Sequence, residues 1–218
     1  MPETPESKKK RAVKIVDILH NEYPDAKCHL DFKNPFQLLI STILAAQCTD
    51  VLVNKVMGEL YKKYKSPSDL AAAKPPVLEK ELSRITFFRN KTKNVLNCSK
   101  MLVEKFKGKV PQTMEELTSL PGVGRKTANV VMGNCFGKQA IMTDTHVIRV
   151  SQRLGFTENE NGDKVEADLV QIIPEDKQTL YSLVISEHGR QICNARKPKC
   201  PECAVNKLCP SKKLFYPN

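Results

Sequence analysis

The chain has 218 residues, is 40% hydrophobic and carries a formal net charge of +11. No apolar run reaches the roughly 18 residues that a membrane-spanning helix needs. The charged start, MPETPESKKKRAVK, lacks the apolar segment of a secretory signal peptide. These features exclude a membrane-spanning protein and predict an intracellular one. The excess of Lys and Arg favours a polyanionic partner such as DNA or RNA, although ribosomal and membrane-surface proteins share it.

Helix-forming patterns follow one another along the chain, and no run alternates with the period of two that indicates a strand. The spacing of apolar residues from Ala12 to Tyr23 predicts the first helix, and the segment from Pro35 to Gln47 is apolar enough to be a buried one. Cap residues predict further helix starts at Asn34-Pro35, Thr49-Asp50, Ser66-Pro67, Thr113 with Glu116, and Asp163 with Glu166. The sequence contains no internal repeat or low-complexity linker. We therefore predict an all-α protein.

The stretch LPGVGRKTANVV, residues 120–131, predicts a tight turn between a short helix (113–119) and a second helix (125–135). Its two glycines allow positive φ and close approach of an outside group. The unpaired N–H groups and the dipole at the start of the second helix could then hold a phosphate. The alternative is an ordinary helical corner with a solvated Lys126. A nucleotide-binding P-loop is excluded, because Arg125 stands where that motif needs glycine.

Asp144, in the stretch TDTHVIRV, lies beyond the second helix at a predicted N-cap. Near a helix N-terminus, partial desolvation would favour the neutral, nucleophilic form of the Lys126 amine. A carboxylate aimed at the same space could take a proton or stabilise positive charge on a reacting sugar. Both residues also have a structural interpretation: Asp144 as a helix cap, and Lys126 as a surface charge.

The end of the chain has the cysteine pattern C-x6-C-x2-C-x5-C, formed by Cys193, Cys200, Cys203 and Cys209. Four thiolates in so short a segment can surround one metal centre, and disulfides are disfavoured in an intracellular protein. The spacing does not choose between zinc and an iron–sulfur cluster, and metal chemistry alone favours zinc. The remaining cysteines are interpreted as core residues: Cys28, Cys48, Cys98 and Cys135.

Together with AAQCTDVLVNKV, these motifs resemble the endonuclease III family of helix-hairpin-helix DNA glycosylases over nearly the whole chain. The resemblance implies a six-helix domain with the helix-hairpin-helix (30–139). It also implies a cluster domain formed from both chain ends (1–29 plus 140–218), with a DNA-binding cleft between the two. In that family the terminal cysteines hold a [4Fe–4S] cluster, which replaces the preference for zinc.

By the same resemblance, Lys126 is the nucleophile that attacks C1′ of a damaged nucleotide, and Asp144 is the catalytic carboxylate. The implied activity is that of a bifunctional DNA glycosylase and abasic-site lyase, which removes oxidised pyrimidines such as thymine glycol. Its partner would be double-stranded DNA with damaged pyrimidines or abasic sites. The protein would act as a monomer without a membrane partner, and would be cytoplasmic and nucleoid-associated if bacterial. The alternatives are a monofunctional mismatch glycosylase, whose relatives generally lack lysine at this position, and a non-enzymatic helix-hairpin-helix DNA-binding protein.

The resemblance also assigns a set of DNA contacts: Gln47, Phe88, Gly122, Val123, Gly124, Arg125, Arg196, Lys197 and Lys199. The hairpin residues would give backbone N–H groups to a phosphate, the glutamine would fill the gap left by the everted base, and the phenylalanine would be a wedge. The basic loop between the cluster cysteines would contact phosphates. Each assignment has a structural alternative. Gln47 would be a polar residue at a helix end, Phe88 an aromatic residue packed under a turn, and the basic loop a solvated surface. The basic segment 7–11 is interpreted as a tail in preference to a nuclear signal.

Overall fold

The computed structural model describes residues 3–216, and all regular structure within that range is helical. Its α-helices are α1 (Pro5–Glu22), α2 (Pro35–Ala45), α3 (Asp50–Lys63), α4 (Pro67–Ala71), α5 (Pro75–Leu82), α6 (Phe88–Phe106), α7 (Met114–Thr118), α8 (Arg125–Cys135), α9 (Thr145–Arg153), α10 (Gly162–Ile172), α11 (Gln178–Gln191) and α12 (Lys212–Phe215). Short 3₁₀ turns lie at Glu175–Lys177, Cys200–Glu202 and Asn206–Leu208. None of the described helices is both long and apolar enough to cross a bilayer. The prediction of an all-α protein is therefore confirmed.

Most of the predicted N-caps are confirmed. Asn34, Thr49 and Ser66 each accept a hydrogen bond from a backbone N–H in the first turn of the helix that follows. The prediction at Asp163 is wrong, because α10 begins at Gly162 and its cap is Asn161. The side chain of Asn161 accepts from two backbone N–H groups, so the earlier of two competing cap residues is used.

The chain forms two compact units, of which one is the continuous segment Cys28–Gly137. Its core is built around α2, where Leu38, Leu39, Ile40 and Leu44 are fully buried. Helices α3, α6 and α8 pack against α2, and α4 and α5 pack against α6. The predicted burial of α2 is confirmed, and this core supports the turn between α7 and α8.

The second unit combines the chain up to Lys27 with the chain from Lys138 onward. In its core, α1 packs against α10 and α11, and α11 packs against α9. The interpretation of segment 7–11 as a tail is wrong, because it lies within α1. Arg11 donates to the carbonyl oxygens of Leu154 (2.8 Å) and Leu208 (3.1 Å), and its guanidinium lies 4.7 Å from the ring centre of Phe156. This arginine therefore stabilises the unit.

Candidate functional site

The turn between α7 and α8 is as tight as its glycines predict. Gly122 has a φ of 79°, and a Cβ there would lie 2.8 Å from the Cβ of Asn94, so both backbone and packing require glycine. At Gly124, the N-cap of α8, nothing lies within 4 Å of such a Cβ, which leaves room for an approaching group. Val123 differs from the expectation. Its side chain is buried and its N–H donates to the oxygen of Leu120 at 3.1 Å, so this N–H serves the turn and is not available to a phosphate.

Arg125 and Lys126 are the first two residues of α8, a helix without a side-chain cap. Both side chains are exposed. An uncapped N-terminus presents backbone donors and the positive end of the helix dipole, so the two cations and the helix end together suit a phosphate group. The exposure also means that burial within this unit does not desolvate the Lys126 amine. A bound substrate would have to supply that desolvation.

The residues expected to enter the DNA stack lie at two turns of the same unit. Gln47 is exposed, with a φ of 55°. Phe87, with a φ of 56°, has 61% of its surface exposed, whereas Phe88 is partly buried against the core. The guanidinium of Arg89 lies 5.6 Å from the ring centre of Phe88. Phe88 thus occupies a packing position, and the aromatic side chain that faces solvent is that of Phe87.

Asp144 is the N-cap of α9, as its position in the sequence predicts. Its Oδ1 accepts from the N–H of Val147 at 2.7 Å, and its Oδ2 accepts from the Oγ of Ser186 at 2.6 Å. Both carboxylate oxygens are therefore held in place. Ser186 was not found from the sequence, because only the packing of α11 against α9 brings it there. Burial lowers the pKa of the neighbouring His146, which favours a neutral ring beside the carboxylate.

The predicted cysteine ligands line one cavity. Its lining includes all four thiols, together with apolar residues such as Val150, Leu154, Ile192 and Val205. Among residues 3–216, no three His, Cys, Asp or Glu side chains come close enough together to hold a single metal ion. Four thiols that line one cavity form a donor set that suits a metal centre of the zinc or the iron–sulfur class. Burial raises the pKa of Cys203 to about 11, so metal binding there must displace a proton.

Two arginines of α9 attach this helix to the cysteine segment. Arg149 donates to the carbonyl oxygens of Gly189 (2.8 Å) and Cys193 (3.1 Å). Arg153 donates to the Sγ of Cys193 at 3.3 Å and to the oxygen of Asn194 at 2.8 Å. Sequence reasoning missed both residues, because an arginine in a helix carries no signal of a distant acceptor. The helix that Asp144 caps therefore also positions the first cysteine of the cavity.

A buried histidine contacts another of the cavity cysteines. The Nε2 of His188 lies 3.4 Å from the Sγ of Cys203, and its Nδ1 lies 3.0 Å from the hydroxyl of Tyr23. Burial lowers the pKa of His188 to about 4 and raises the pKa of Tyr23 to about 12. Both side chains are therefore neutral near pH 7. When Cys203 is a thiolate, Nε2 must donate to it, and the tyrosine hydroxyl must donate to Nδ1.

The basic loop lies between the first two cysteines of the cavity. The side chains of Arg196, Lys197 and Lys199 are exposed, while Pro198 between them is buried. The N–H of Lys199 donates to the oxygen of Ile192 at 2.9 Å, which fixes the end of the loop. Three cations on a fixed backbone suit a polyanionic surface.

The sequence and fold of this chain are similar to those of known DNA repair proteins. Residues 40–175 match the family model of the HhH-GPD superfamily base excision DNA repair protein. The endonuclease III of Synechocystis sp. is 49% identical over 206 residues, which are 94% of each chain. The endonuclease III of Bacillus subtilis is 42% identical over 195 residues, 89% of each chain.

Solved structures of similar proteins include a non-covalent endonuclease III–DNA complex, with a TM-score of 0.90 and 42% identity over 96% of this chain and 99% of that one. A trapped covalent intermediate of endonuclease III and DNA, an estranged-adenine complex, has a TM-score of 0.89 and 43% identity over 94% of this chain and 97% of that one. The chain therefore belongs to the endonuclease III family, within the HhH-GPD superfamily of base excision repair DNA glycosylases.

Proposed function

We propose that this protein is a bifunctional DNA glycosylase and abasic-site lyase that removes oxidised pyrimidines such as thymine glycol from double-stranded DNA. The observation that carries the proposal is an exposed lysine, Lys126, at the uncapped N-terminus of α8, directly after a glycine turn that is open to an approaching backbone. A covalent intermediate with DNA has been trapped for a 43% identical endonuclease III, which supports a covalent mechanism in this chain. Lys126 is the nucleophile that we assign to it.

The neutral amine of Lys126 forms a bond to C1′ while the bond from C1′ to the damaged base breaks. The base leaves with the electron pair and takes up a proton, and ring opening gives an imine between the lysine and the sugar. The imine makes the C2′ proton acidic. Loss of that proton breaks the bond between C3′ and its phosphate oxygen, which cuts the strand, and water then releases the lysine. An amine is required here, because a hydroxyl nucleophile cannot form the imine.

Asp144 supplies the catalytic carboxylate. It can take the proton that the attacking amine gives up, or stabilise positive charge on the sugar as the base leaves. The hydrogen bonds from Val147 and Ser186 fix the orientation of the carboxylate before substrate arrives. Such preorganisation lowers the cost of stabilising the transition state.

DNA recognition is assigned to exposed groups. The backbone at Gly124 and the side chain of Arg125 would contact a phosphate at the N-terminus of α8, and the basic loop 196–199 would contact further phosphates. Eversion of the nucleotide is needed because C1′ is shielded within the base stack. Gln47 would fill the gap left by the everted base. The wedge assignment moves from Phe88 to Phe87, the exposed aromatic residue of the pair.

The cavity cysteines Cys193, Cys200, Cys203 and Cys209 would hold a [4Fe–4S] cluster, because four thiols that line one cavity match the four-cysteine ligand set of such a cluster. When bound, the cluster would supply a rigid crosslink for the C-terminal segment. Arg153 and His188, which contact the Sγ atoms of Cys193 and Cys203, would donate hydrogen bonds to the ligating sulfurs.

We expect Cys200→Ser to abolish the brown colour and the visible absorbance of anaerobically purified protein, because it removes a thiolate ligand. Iron and sulfide analysis should fall in parallel. The matched control is Cys135→Ala, which changes a half-buried cysteine of the other unit and should keep the full spectrum. A colourless wild-type protein that contains zinc would contradict the cluster assignment.

Borohydride trapping tests the proposed function. The wild-type protein is mixed with a duplex carrying one thymine glycol, with an abasic duplex and with undamaged DNA, and a denaturing gel reports covalent adducts and strand cleavage. Adducts on the first two duplexes and none on the third are expected, because borohydride makes a stable protein–DNA bond only by reducing an imine between the two. Base release without an adduct would indicate a monofunctional glycosylase. Binding without base release or adducts would indicate a DNA-binding protein that is not an enzyme.

A further inference from the structure

The turns that carry Gln47 and Phe87 share an unusual backbone conformation. Among residues 3–216, the non-glycine residues with positive φ are Gln47, Phe87 and Lys107. Lys107 is the C-cap of α6, where a left-handed residue is common. Gln47 is separated from α2 by Ala46, which has a ψ of 117°, and Phe87 precedes α6. Left-handed backbone is unfavourable for such side chains, so the surroundings must hold both residues in place.

A hydrogen bond to a cysteine links the two turns directly. The backbone N–H of Thr86, which precedes Phe87, donates to the Sγ of Cys48, which follows Gln47, at 3.3 Å. The donor and the acceptor are 38 residues apart in the chain. The bond therefore joins neighbours of the two left-handed residues across the surface of the unit.

A buried lysine completes the link. Lys91 is 6% exposed, and its Nζ lies 2.8 Å from the oxygen of Leu44, within hydrogen-bond distance of the oxygen of Ala46, and 3.6 Å from the Sγ of Cys48. An ammonium has three donors, and these three acceptors use all of them. The backbone N–H of Lys91 also donates to the oxygen of Phe87 at 3.2 Å. One residue in the first turn of α6 thus holds both the end of α2 and the cysteine sulfur.

The sulfur of Cys48 is an acceptor for two donors. Partial burial raises the pKa of Cys48, but the hydrogen bonds from Thr86 and the nearby Lys91 ammonium outweigh this effect, and the pKa lies below its ordinary value. The core interpretation of Cys48 is therefore incomplete. This side chain is half-buried and packs against the core, yet its sulfur is also the shared acceptor of a polar cluster.

We infer that Cys48, held by Lys91, is a positioning residue that fixes the Gln47 and Phe87 turns in one arrangement, and so strengthens binding to DNA opened at a lesion. The inference rests on the proposed function, because it takes Gln47 and Phe87 as the side chains that enter the opened stack. Sulfur can do this without touching DNA: it accepts from the backbone beside one turn and is covalently next to the other.

The experiment compares Cys48→Ala with Cys48→Ser and with the control Cys135→Ala, a half-buried cysteine that packs against the same core. The Kd is measured for a duplex with a tetrahydrofuran abasic analogue and for undamaged DNA. We expect Cys48→Ala to weaken binding to the analogue by about fivefold, the effect of losing one net hydrogen bond. Binding to undamaged DNA should change no more than in the control. Cys48→Ser, which keeps an acceptor, should recover most of the loss.

Two further measurements separate positioning from loss of packing. In a double-mutant cycle, Cys48→Ala should weaken binding less once Phe87→Ala is present, since one of the two side chains that it positions is gone. Without DNA, hydrogen exchange at the Thr86 amide should accelerate in Cys48→Ala and remain slow in Cys135→Ala. Additive effects in the cycle, or an equal loss on both duplexes, would overturn the inference. If the wild type shows slow exchange at Thr86 but no preference for the abasic analogue, the proposed function itself fails, and the role of Cys48 in DNA binding fails with it.

Discussion

Replacement of Lys126 by alanine should remove the borohydride-trapped adduct and the strand cleavage completely. Without the amine no imine forms, and neither base displacement by this route nor β-elimination can follow. The folded state should be little affected, within about 0.5 kcal/mol, because the side chain is exposed on the first turn of α8. Single-turnover assays at saturating DNA, with affinity measured separately, distinguish lost chemistry from lost binding.

The neighbouring residue provides the matched control for this change. Arg125 is an exposed cation on the same helical turn, so Arg125→Ala removes one positive charge without removing the amine. This variant should bind DNA more weakly, and its affinity should depend less steeply on salt concentration. It should still form the adduct when DNA is saturating. An adduct from Lys126→Ala under the same conditions would mean that another amine is the nucleophile.

Asp144→Asn should lower the single-turnover rate of base release by about 10²- to 10⁴-fold, the usual contribution of an acid–base group. The amide oxygen can still accept from the N–H of Val147, and asparagine is as good an N-cap as aspartate. The melting temperature should therefore stay close to that of the wild type. Asp144→Ala should show the same decrease in the rate of base release. It should also lose about 1 kcal/mol of stability, because it removes the cap.

Ser186→Ala tests whether orientation of the carboxylate matters separately from its charge. It removes only the hydrogen bond to Oδ2 of Asp144 and leaves the cap intact. We expect a loss of about tenfold in rate, since a hydrogen bond to a charged group contributes about 1.5 kcal/mol or somewhat more. The loss should be smaller than for Asp144→Asn, because the charge of the carboxylate remains. A base-release rate for Asp144→Asn within tenfold of the wild type would remove this carboxylate from the catalytic role.

Features set by neighbouring residues could be predicted from the sequence. Helix starts at Asn34, Thr49 and Ser66, and the cap at Asp144, depend on a side chain and the backbone a few residues later. The same local logic gave the wrong start for α10, because Asn161 and Asp163 are both good caps and the pattern does not rank them.

Features that depend on packing could not be predicted. The choice between Phe87 and Phe88 follows from the left-handed backbone at the first of them, which no residue type in the stretch requires. Ser186 reaches the carboxylate of Asp144 from a segment 42 residues away. His188 contacts Cys203, 15 residues later, only because the chain folds back on α11. Sequence patterns predict candidate catalytic and metal-binding residues, but not the residues that hold them in place.

The division of the chain into a continuous and a discontinuous unit has a consequence for biosynthesis. Cys28–Gly137 has all of its core residues as soon as α8 has been made, so it can fold while the rest is still being translated. The apolar stripe of α1 must wait for α10 and α11, and Arg11 waits for Leu208, 197 residues later. Until then that stripe is exposed to solvent and to other nascent chains. We therefore expect truncated products that end before α11 to aggregate or to be bound by chaperones, even though one of their two units is already folded.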